Sequence, residues 1–240
     1  MNKVDILAFG SHPDDVELGC SGTIAKEVSR GKSVGIIDLT KGELGTRGDE
    51  HTRAEEAAEA TKILKASFRE NMEFADGFFV NDREHQMALI KKIRKYRPDI
   101  VFCNAIFDRH IDHGKGSDLV SDACFLSGLL KIETFDENGD KQEHWRPKQV
   151  YHYIQWKNIK PDIVVDISGF IEIKMQSVLA YKTQFYNKDI KENETPISSK
   201  NFTDSIIYRA RDLGRLVGVE HGEGFTVERY PAVDSIFDLI

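Results

Sequence analysis

The stretch that decides the fold is residues 4–28, which read VDILAFGSHPDDVELGCSGTIAKEV. It begins with a short, mostly apolar run from Val4 to Phe9, which predicts a buried β-strand. A polar stretch follows, and from Leu18 to Val28 apolar residues recur at roughly helical spacing until Gly31 stops the pattern. The start of the chain therefore predicts a strand, a polar turn and a helix.

The same alternation continues along the chain. Further strands are predicted at Ser33 to Leu39, Ile100 to Cys103, Val150 to Ile154 and Ile163 to Ile167. Helices are predicted at Thr52 to Lys65, Arg83 to Tyr96, Leu119 to Leu130, from an N-cap at Ser168 to about Lys182, and at Phe202 to Val217. Residues 133–146 form a polar excursion, and we expect residues 187–200 to be a mobile surface loop.

The run from Ile100 to Cys103 is apolar on both faces, as in a central parallel strand covered by helices. Strands alternating with helices over 240 residues predict an α/β fold, with a single domain spanning residues 1–240. We expect a Rossmann-like, mostly parallel sheet flanked by helices. In such folds the ligand binds beyond the carboxyl ends of the strands, so the loops there should carry the chemistry.

The charge balance is mildly acidic, because 40 Asp and Glu residues exceed 33 Lys and Arg residues by seven. No block of basic residues stands out, so we expect no nucleic-acid partner. No apolar run approaches the ~20 residues of a membrane span, and Asp5 falls where a signal peptide would continue its apolar core. Together with three widely spaced cysteines, this predicts a cytoplasmic protein that binds no membrane.

Three titratable side chains follow the first strand within four residues, in the sequence His12-Pro13-Asp14-Asp15. A single Asp in such a turn would be explained as a helix cap. A histidine beside two adjacent carboxylates is harder to explain without a cation that neutralises them. At the first turn of a helix, His12 and Asp15 can converge on one point and leave Asp14 directed elsewhere.

A second cluster, from Asp108 to Gly114, follows the Ile100 strand and contains His110 and His113. Solvated or loop-capping histidines are the alternative interpretation. Together with His12 and Asp15, one of these two histidines would complete the two-imidazole, one-carboxylate set of an open catalytic zinc site.

Several motifs occur together in a fixed order: His12-Pro13-Asp14-Asp15, Glu17-Leu18-Gly19, Gly22-Thr23, the segments Asp38 to Gly48, Arg53 to Ala57 and Arg109 to His113, and Glu223-Gly224-Phe225. In this order and spacing they resemble the LmbE-like/PIG-L zinc-dependent N-deacetylases, and among these the deacetylases of bacillithiol biosynthesis. The resemblance covers nearly the whole chain and implies the LmbE-like fold.

The resemblance also implies site roles. His12, Asp15 and His113 would bind Zn²⁺, although such a ligand set does not distinguish zinc from Fe²⁺. Asp14 would be the general base that takes a proton from the attacking water.

The remaining roles concern charge. In its protonated form His110 would stabilise the oxyanion, and Asp112 would orient and charge a histidine. Arg53 and Arg109 would bind a substrate hydroxyl or carboxylate, although each could equally be an ordinary solvated arginine.

The expected function is removal of an acetyl group from an N-acetylglucosamine conjugate, with N-acetylglucosaminyl malate as the substrate that the bacillithiol subgroup implies. Alternatives are deacetylation of another N-acetyl aminosugar, such as a chitooligosaccharide, and removal of an acyl group from a thiol conjugate by an amidase. A non-catalytic metal or sugar binder would have no use for Asp14. A dinucleotide-dependent oxidoreductase is disfavoured, because carboxylates stand where its pyrophosphate would bind. The family resemblance also implies a homo-oligomer, with a hexamer as one form.

Overall fold

Seven strands, all joined in one sheet, and six α-helices form the fold in this computed structural model, which describes residues 3–189 and 193–239. The strands are β1 (Ile6–Gly10), β2 (Val34–Thr40), β3 (Phe68–Phe74), β4 (Ile100–Cys103), β5 (Gln149–Tyr153), β6 (Ile163–Asp166) and β7 (Gly222–Val227). The helices are α1 (Asp15–Ser29), α2 (Glu50–Leu64), α3 (Arg83–Tyr96), α4 (Ile111–Ser127), α5 (Ile171–Leu179) and α6 (Lys200–Val217).

The strand order is β3-β2-β1-β4-β5-β7-β6; the first five strands pair in parallel, and β7 pairs antiparallel with both β5 and β6. Every residue of β1 is buried, because helices cover both faces of the sheet at its centre. Leu7 and Phe9 pack with α3 and α4 on one face, whereas Ile6 and Ala8 pack with α1 on the other. The expected α/β fold with a mostly parallel sheet is confirmed.

Two helix predictions were wrong in their boundaries. Helix α4 begins at Ile111, eight residues before the predicted start at Leu119. Helix α5 ends at Leu179, not near Lys182, and Phe170 occupies its N-cap position. Ser168 is not the cap, because its hydroxyl instead accepts hydrogen bonds from two backbone N–H groups that precede β7.

Strands β3 and β7 were not predicted. Of the loop expected at residues 187–200, residues 190–192 lie outside the described part of the chain, and α6 already begins at Lys200. No helix among the described residues is long and apolar enough to cross a bilayer.

Candidate active site

The cluster after β1 and the cluster after β4 meet beyond the carboxyl ends of these strands, because β1 and β4 are parallel neighbours. His12 and Asp15 follow β1, while His113 lies in the first turn of α4. The Asp15 carboxylate lies between the two rings, with His113 Nε2 3.1 Å from Oδ1 and His12 Nδ1 3.4 Å from Oδ2. The structure therefore brings together the three residues expected to bind metal.

The chemistry of this donor set fits a divalent cation. Burial alone raises the pKa of Asp15, but the charges and hydrogen bonds of His113 and His12 outweigh it and hold that pKa well below the usual range. An ionised carboxylate between two imidazoles is the ligand mixture that Zn²⁺ and Fe²⁺ sites use. Nitrogen atoms of His12, His110 and His113 also lie within 4.8 Å of one another, so His110 stands near the same point.

Two buried amide side chains fix the Asp15 carboxylate. Gln155 Nε2 donates to Asp15 Oδ1 at 2.8 Å, and Asn104 Nδ2 donates to Oδ2 at 3.0 Å. Asn104 Nδ2 also donates to Gln155 Oε1, while Ser11 donates to Asn104 Oδ1. Sequence reasoning missed both amides, although each follows the carboxyl end of a predicted strand within two residues.

This arrangement predicts the effect of Gln155→Leu. Loss of one hydrogen bond leaves Asp15 less firmly oriented, so we expect the affinity for Zn²⁺ to fall about 10- to 100-fold. Competition with a chelating dye measures this affinity. Gln176→Leu, at an exposed position of α5, is the matched control and should leave it unchanged. Equal affinities of the two variants would contradict the orienting role.

Asp14 stands at the N-cap of α1 with a backbone φ of 125°. Such a φ is rare outside glycine and costs on the order of 1–3 kcal/mol. Its side chain caps nothing, and Arg53 Nη2 lies 3.2 Å from Oδ2. Burial, opposed by Arg53 and aided by Asp15, raises the pKa of Asp14 to about 7. The carboxylate is thus buried beside the candidate metal site.

The two arginines expected to bind substrate differ in their surroundings. Arg53 is buried and donates to the backbone carbonyls of Pro13 and Gly42, while its Nε has no hydrogen-bond partner among the described residues. Its interpretation as an ordinary solvated arginine is therefore wrong. Arg109 is exposed, with its guanidinium carbon 4.7 Å from the ring centre of Trp156. Both arginines line the cavity that contains the site.

His110 is the N-cap of α4, and its Nδ1 accepts a hydrogen bond from the Asp112 backbone N–H at 3.3 Å. A neutral ring that accepts at Nδ1 carries its proton on Nε2. Burial and the charges of His12 and His113 lower the pKa of His110, which does not favour the imidazolium form expected from the sequence. The ring therefore offers an N–H donor without a charge.

His12 Nδ1 faces Asp15, and its other ring nitrogen, Nε2, lies 3.5 Å from Asp112 Oδ2. A second carboxylate, Asp76, lies closer, with Oδ1 3.0 Å from the same nitrogen. Asp76 follows β3, a strand that was not predicted, so no pattern in the sequence placed it here. It also accepts a hydrogen bond from the Leu44 backbone and thereby joins the loop after β2 to His12.

Comparison with known proteins shows which family the chain belongs to. The sequence profile of PIG-L, described as GlcNAc-PI de-N-acetylase, matches residues 7–124. The crystal structure of the conserved protein TT1542 from Thermus thermophilus is 34% identical, covers 98% of each chain and superimposes with a TM-score of 0.85. The chain belongs to the PIG-L family.

Two relatives have a stated activity. Diacetylchitobiose deacetylase from Thermococcus kodakarensis is 29% identical over 190 residues, which cover 75% of this chain and 70% of that protein. The structure of N,N'-diacetylchitobiose deacetylase from Pyrococcus horikoshii is 25% identical, covers 98% of this chain and 88% of that one, and gives a TM-score of 0.79. The PIG-L membership expected from the motifs is confirmed. The expected bacillithiol subgroup is not supported by these two relatives, because both are named as deacetylases of diacetylchitobiose.

Proposed function

We propose that this PIG-L protein is a metal-dependent hydrolase that removes the acetyl group from an N-acetylated aminosugar. The observation that carries the proposal is the convergence of His12, Asp15 and His113 with a second carboxylate, Asp14, beside them. The cavity around them, about 410 Å³, has the size of a small-molecule site. His12, Asp15 and His113 would hold the cation.

When bound, a divalent cation polarises the amide carbonyl and makes a water molecule more acidic. Asp14 takes a proton from the attacking water and returns it to the nitrogen as the amide C–N bond breaks. The water oxygen joins the carbonyl carbon, so acetate and a free amine leave. His110 donates its Nε2–H to the carbonyl oxygen as negative charge develops there, and Arg53 keeps Asp14 in position.

For the substrate we propose a short oligosaccharide of N-acetylglucosamine, with diacetylchitobiose as the first candidate. Support comes from the two relatives named for this activity. N-Acetylglucosaminyl malate, which the bacillithiol resemblance implies, is the competing substrate. An arginine that lines the cavity, such as Arg109, would bind the carboxylates of the malate group.

The test compares acetate release by the zinc-loaded protein from three compounds: diacetylchitobiose, N-acetylglucosaminyl malate and free N-acetylglucosamine. We expect the chitobiose to react fastest. A higher kcat/KM for the malate conjugate would replace the proposed substrate but keep the reaction. Absence of acetate release from all three, with metal bound, would refute the aminosugar deacetylase.

A further inference from the structure

Three imidazole rings lie at the candidate metal site, and their surroundings differ. Nitrogen atoms of His12, His110 and His113 lie within 4.8 Å of one another, so proximity alone does not decide which rings bind a cation. His12 and His113 each face carboxylates with both ring nitrogens. His110 instead caps α4, and its Nδ1 accepts a hydrogen bond from a backbone N–H group. The carboxylates therefore distinguish His12 and His113 from His110.

The second carboxylate that faces His113 belongs to Asp108. Asp108 Oδ2 lies 2.6 Å from His113 Nδ1, whereas the other ring nitrogen, Nε2, lies 3.1 Å from Asp15 Oδ1. The Asp108 side chain is only 1% exposed. Its other oxygen, Oδ1, accepts a hydrogen bond from the Lys157 backbone N–H at 2.8 Å. Each oxygen of Asp108 thus has a nitrogen partner, and one partner is a candidate metal ligand.

The contact with Asp108 determines which nitrogen of His113 is free to bind a cation. A carboxylate can only accept hydrogen bonds, so Asp108 holds the imidazole proton on Nδ1. The lone pair of the neutral ring then lies on Nε2, the nitrogen that faces Asp15. Because a cation binds the lone pair and not the N–H group, His113 can be a ligand at this point only in that tautomer.

The segment after β5 keeps Asp108 in place. Gln155 Nε2 donates to Asp15 Oδ1, and two residues later the Lys157 backbone N–H donates to Asp108 Oδ1. One short segment therefore fixes the carboxylate on each side of the His113 ring. A side chain fixed in this way can orient another, because its own position is already determined.

Asp112, the residue to which the family resemblance gives the orientation of a histidine, has other partners. Its carboxylate accepts hydrogen bonds from the Gly77 backbone N–H at 2.7 Å and from Lys115 Nζ at 3.1 Å. His12 Nε2 lies 3.5 Å from it. The contact of Asp108 with His113 is shorter and direct, so Asp108 is the better candidate for this role at His113.

We propose that Asp108 is a positioning residue of the candidate metal site: its carboxylate holds the His113 ring with the lone pair of Nε2 directed at the cation. This inference rests on the proposed function, because it concerns the metal site of the same reaction. Asp108 acts through His113 and takes no proton from the attacking water.

The affinity of the metal-free protein for Zn²⁺ tests this role without any substrate. Asp108→Asn should lower the affinity about 10- to 100-fold. The oxygen of the new amide keeps the hydrogen bond from Lys157, so its NH₂ group faces His113 Nδ1 and can only donate. The imidazole proton then moves to Nε2, and the lone pair is lost from the side of the cation.

Asp108→Ala separates the positioning role from a merely structural one. Asp108 lines the cavity, so in this variant water can take its place and accept the proton of Nδ1. The correct tautomer stays accessible, and the affinity for Zn²⁺ should fall less than in Asp108→Asn. A structural role predicts the reverse order, since asparagine preserves the size and the bond to Lys157. Equal or tighter zinc binding by the asparagine variant would overturn the positioning role.

Asp108→Glu restores a carboxylate and should bind Zn²⁺ more tightly than Asp108→Ala. This comparison carries the test if the asparagine variant does not fold, and a glutamate variant no better than alanine would then refute the role. Asp118→Asn, at an exposed position of α4, is the matched control and should leave the affinity unchanged.

Metal binding and turnover fail separately. If the unmodified protein binds zinc but releases no acetate from any N-acetylated aminosugar, the proposed function fails, while the order of zinc affinities still decides the role of Asp108. If acetate is released and Asp108→Asn binds zinc as tightly as the unmodified protein, the deacetylase stands and the positioning role is wrong.

Discussion

Asp14→Asn is expected to lower kcat for acetate release by about 10²- to 10⁴-fold, the usual contribution of a general base. The amide keeps the size of the carboxylate but cannot take the proton of the attacking water. Because His12, Asp15 and His113 are untouched, the metal content should stay that of the unmodified protein. Acetate release and elemental analysis measure the two quantities on the same preparation.

The matched control for this variant is Asp118→Asn, at an exposed position of α4 that does not line the cavity. It should retain full activity. Normal turnover by Asp14→Asn with metal bound would remove Asp14 from the base role. If the unmodified protein also shows no turnover on any N-acetyl aminosugar, the non-catalytic binder becomes the better interpretation.

Arg69→Met should lower the free energy of unfolding by about 3–5 kcal/mol, the usual cost of removing one partner from a buried ion pair. Arg69 donates to both oxygens of Asp38 at 2.7 and 2.8 Å, and to Glu17 Oε1 at 2.6 Å. Both carboxylates are buried. Without the guanidinium, two negative charges stay inside the protein with no cation. Urea-induced unfolding measures the loss.

The loss in Arg69→Met should depend on pH. Burial already raises the pKa of Asp38, against the opposing charge of Arg69, and removal of Arg69 raises it further. A carboxyl whose pKa is higher in the folded protein stabilises the fold below its unfolded pKa, and this stability is lost as pH rises through the folded pKa. The loss of unfolding free energy in the variant should therefore be smallest near pH 4 and largest at neutral pH.

Arg30→Met is the matched control for the buried network. Arg30 pairs with Glu27 at 3.3 Å, but its side chain is mostly exposed, so the change should stay within about 0.5 kcal/mol. A comparable loss in both arginine variants, or a loss for Arg69→Met that does not change with pH, would contradict the account of the buried carboxylates.

The sequence predicted the elements whose apolar pattern is strong. Helix α3 and strand β4 have the predicted boundaries. Helix α3 has a clear apolar stripe, and strand β4 is a continuous apolar run. Strand β3 reads FRENMEF and is only partly buried. Its polar residues leave no apolar pattern from which a strand could be predicted. Strand β7 contains Gly222 and Gly224, which lower β-propensity although both allow close packing against α6.

For the candidate site, the histidines and aspartates were found because their types and spacing form a recognisable motif. Asn104, Gln155 and Asp76 were missed for a physical reason. Their function depends on strand neighbours that are distant in sequence, and a lone amide or carboxylate has no characteristic spacing. The early start of α4 was missed as well, because His110 acts as its cap through a ring nitrogen, which is not a usual capping group.

The left-handed backbone at Asp14 has a consequence for protein engineering. Glycine adopts such a φ without strain, which would recover about 1–3 kcal/mol, but Asp14→Gly would also leave the buried Arg53 guanidinium without its carboxylate, a loss of about 3–5 kcal/mol. A library selected only for heat resistance should therefore retain Asp14. At this position, engineering for stability and engineering for activity favour the same residue.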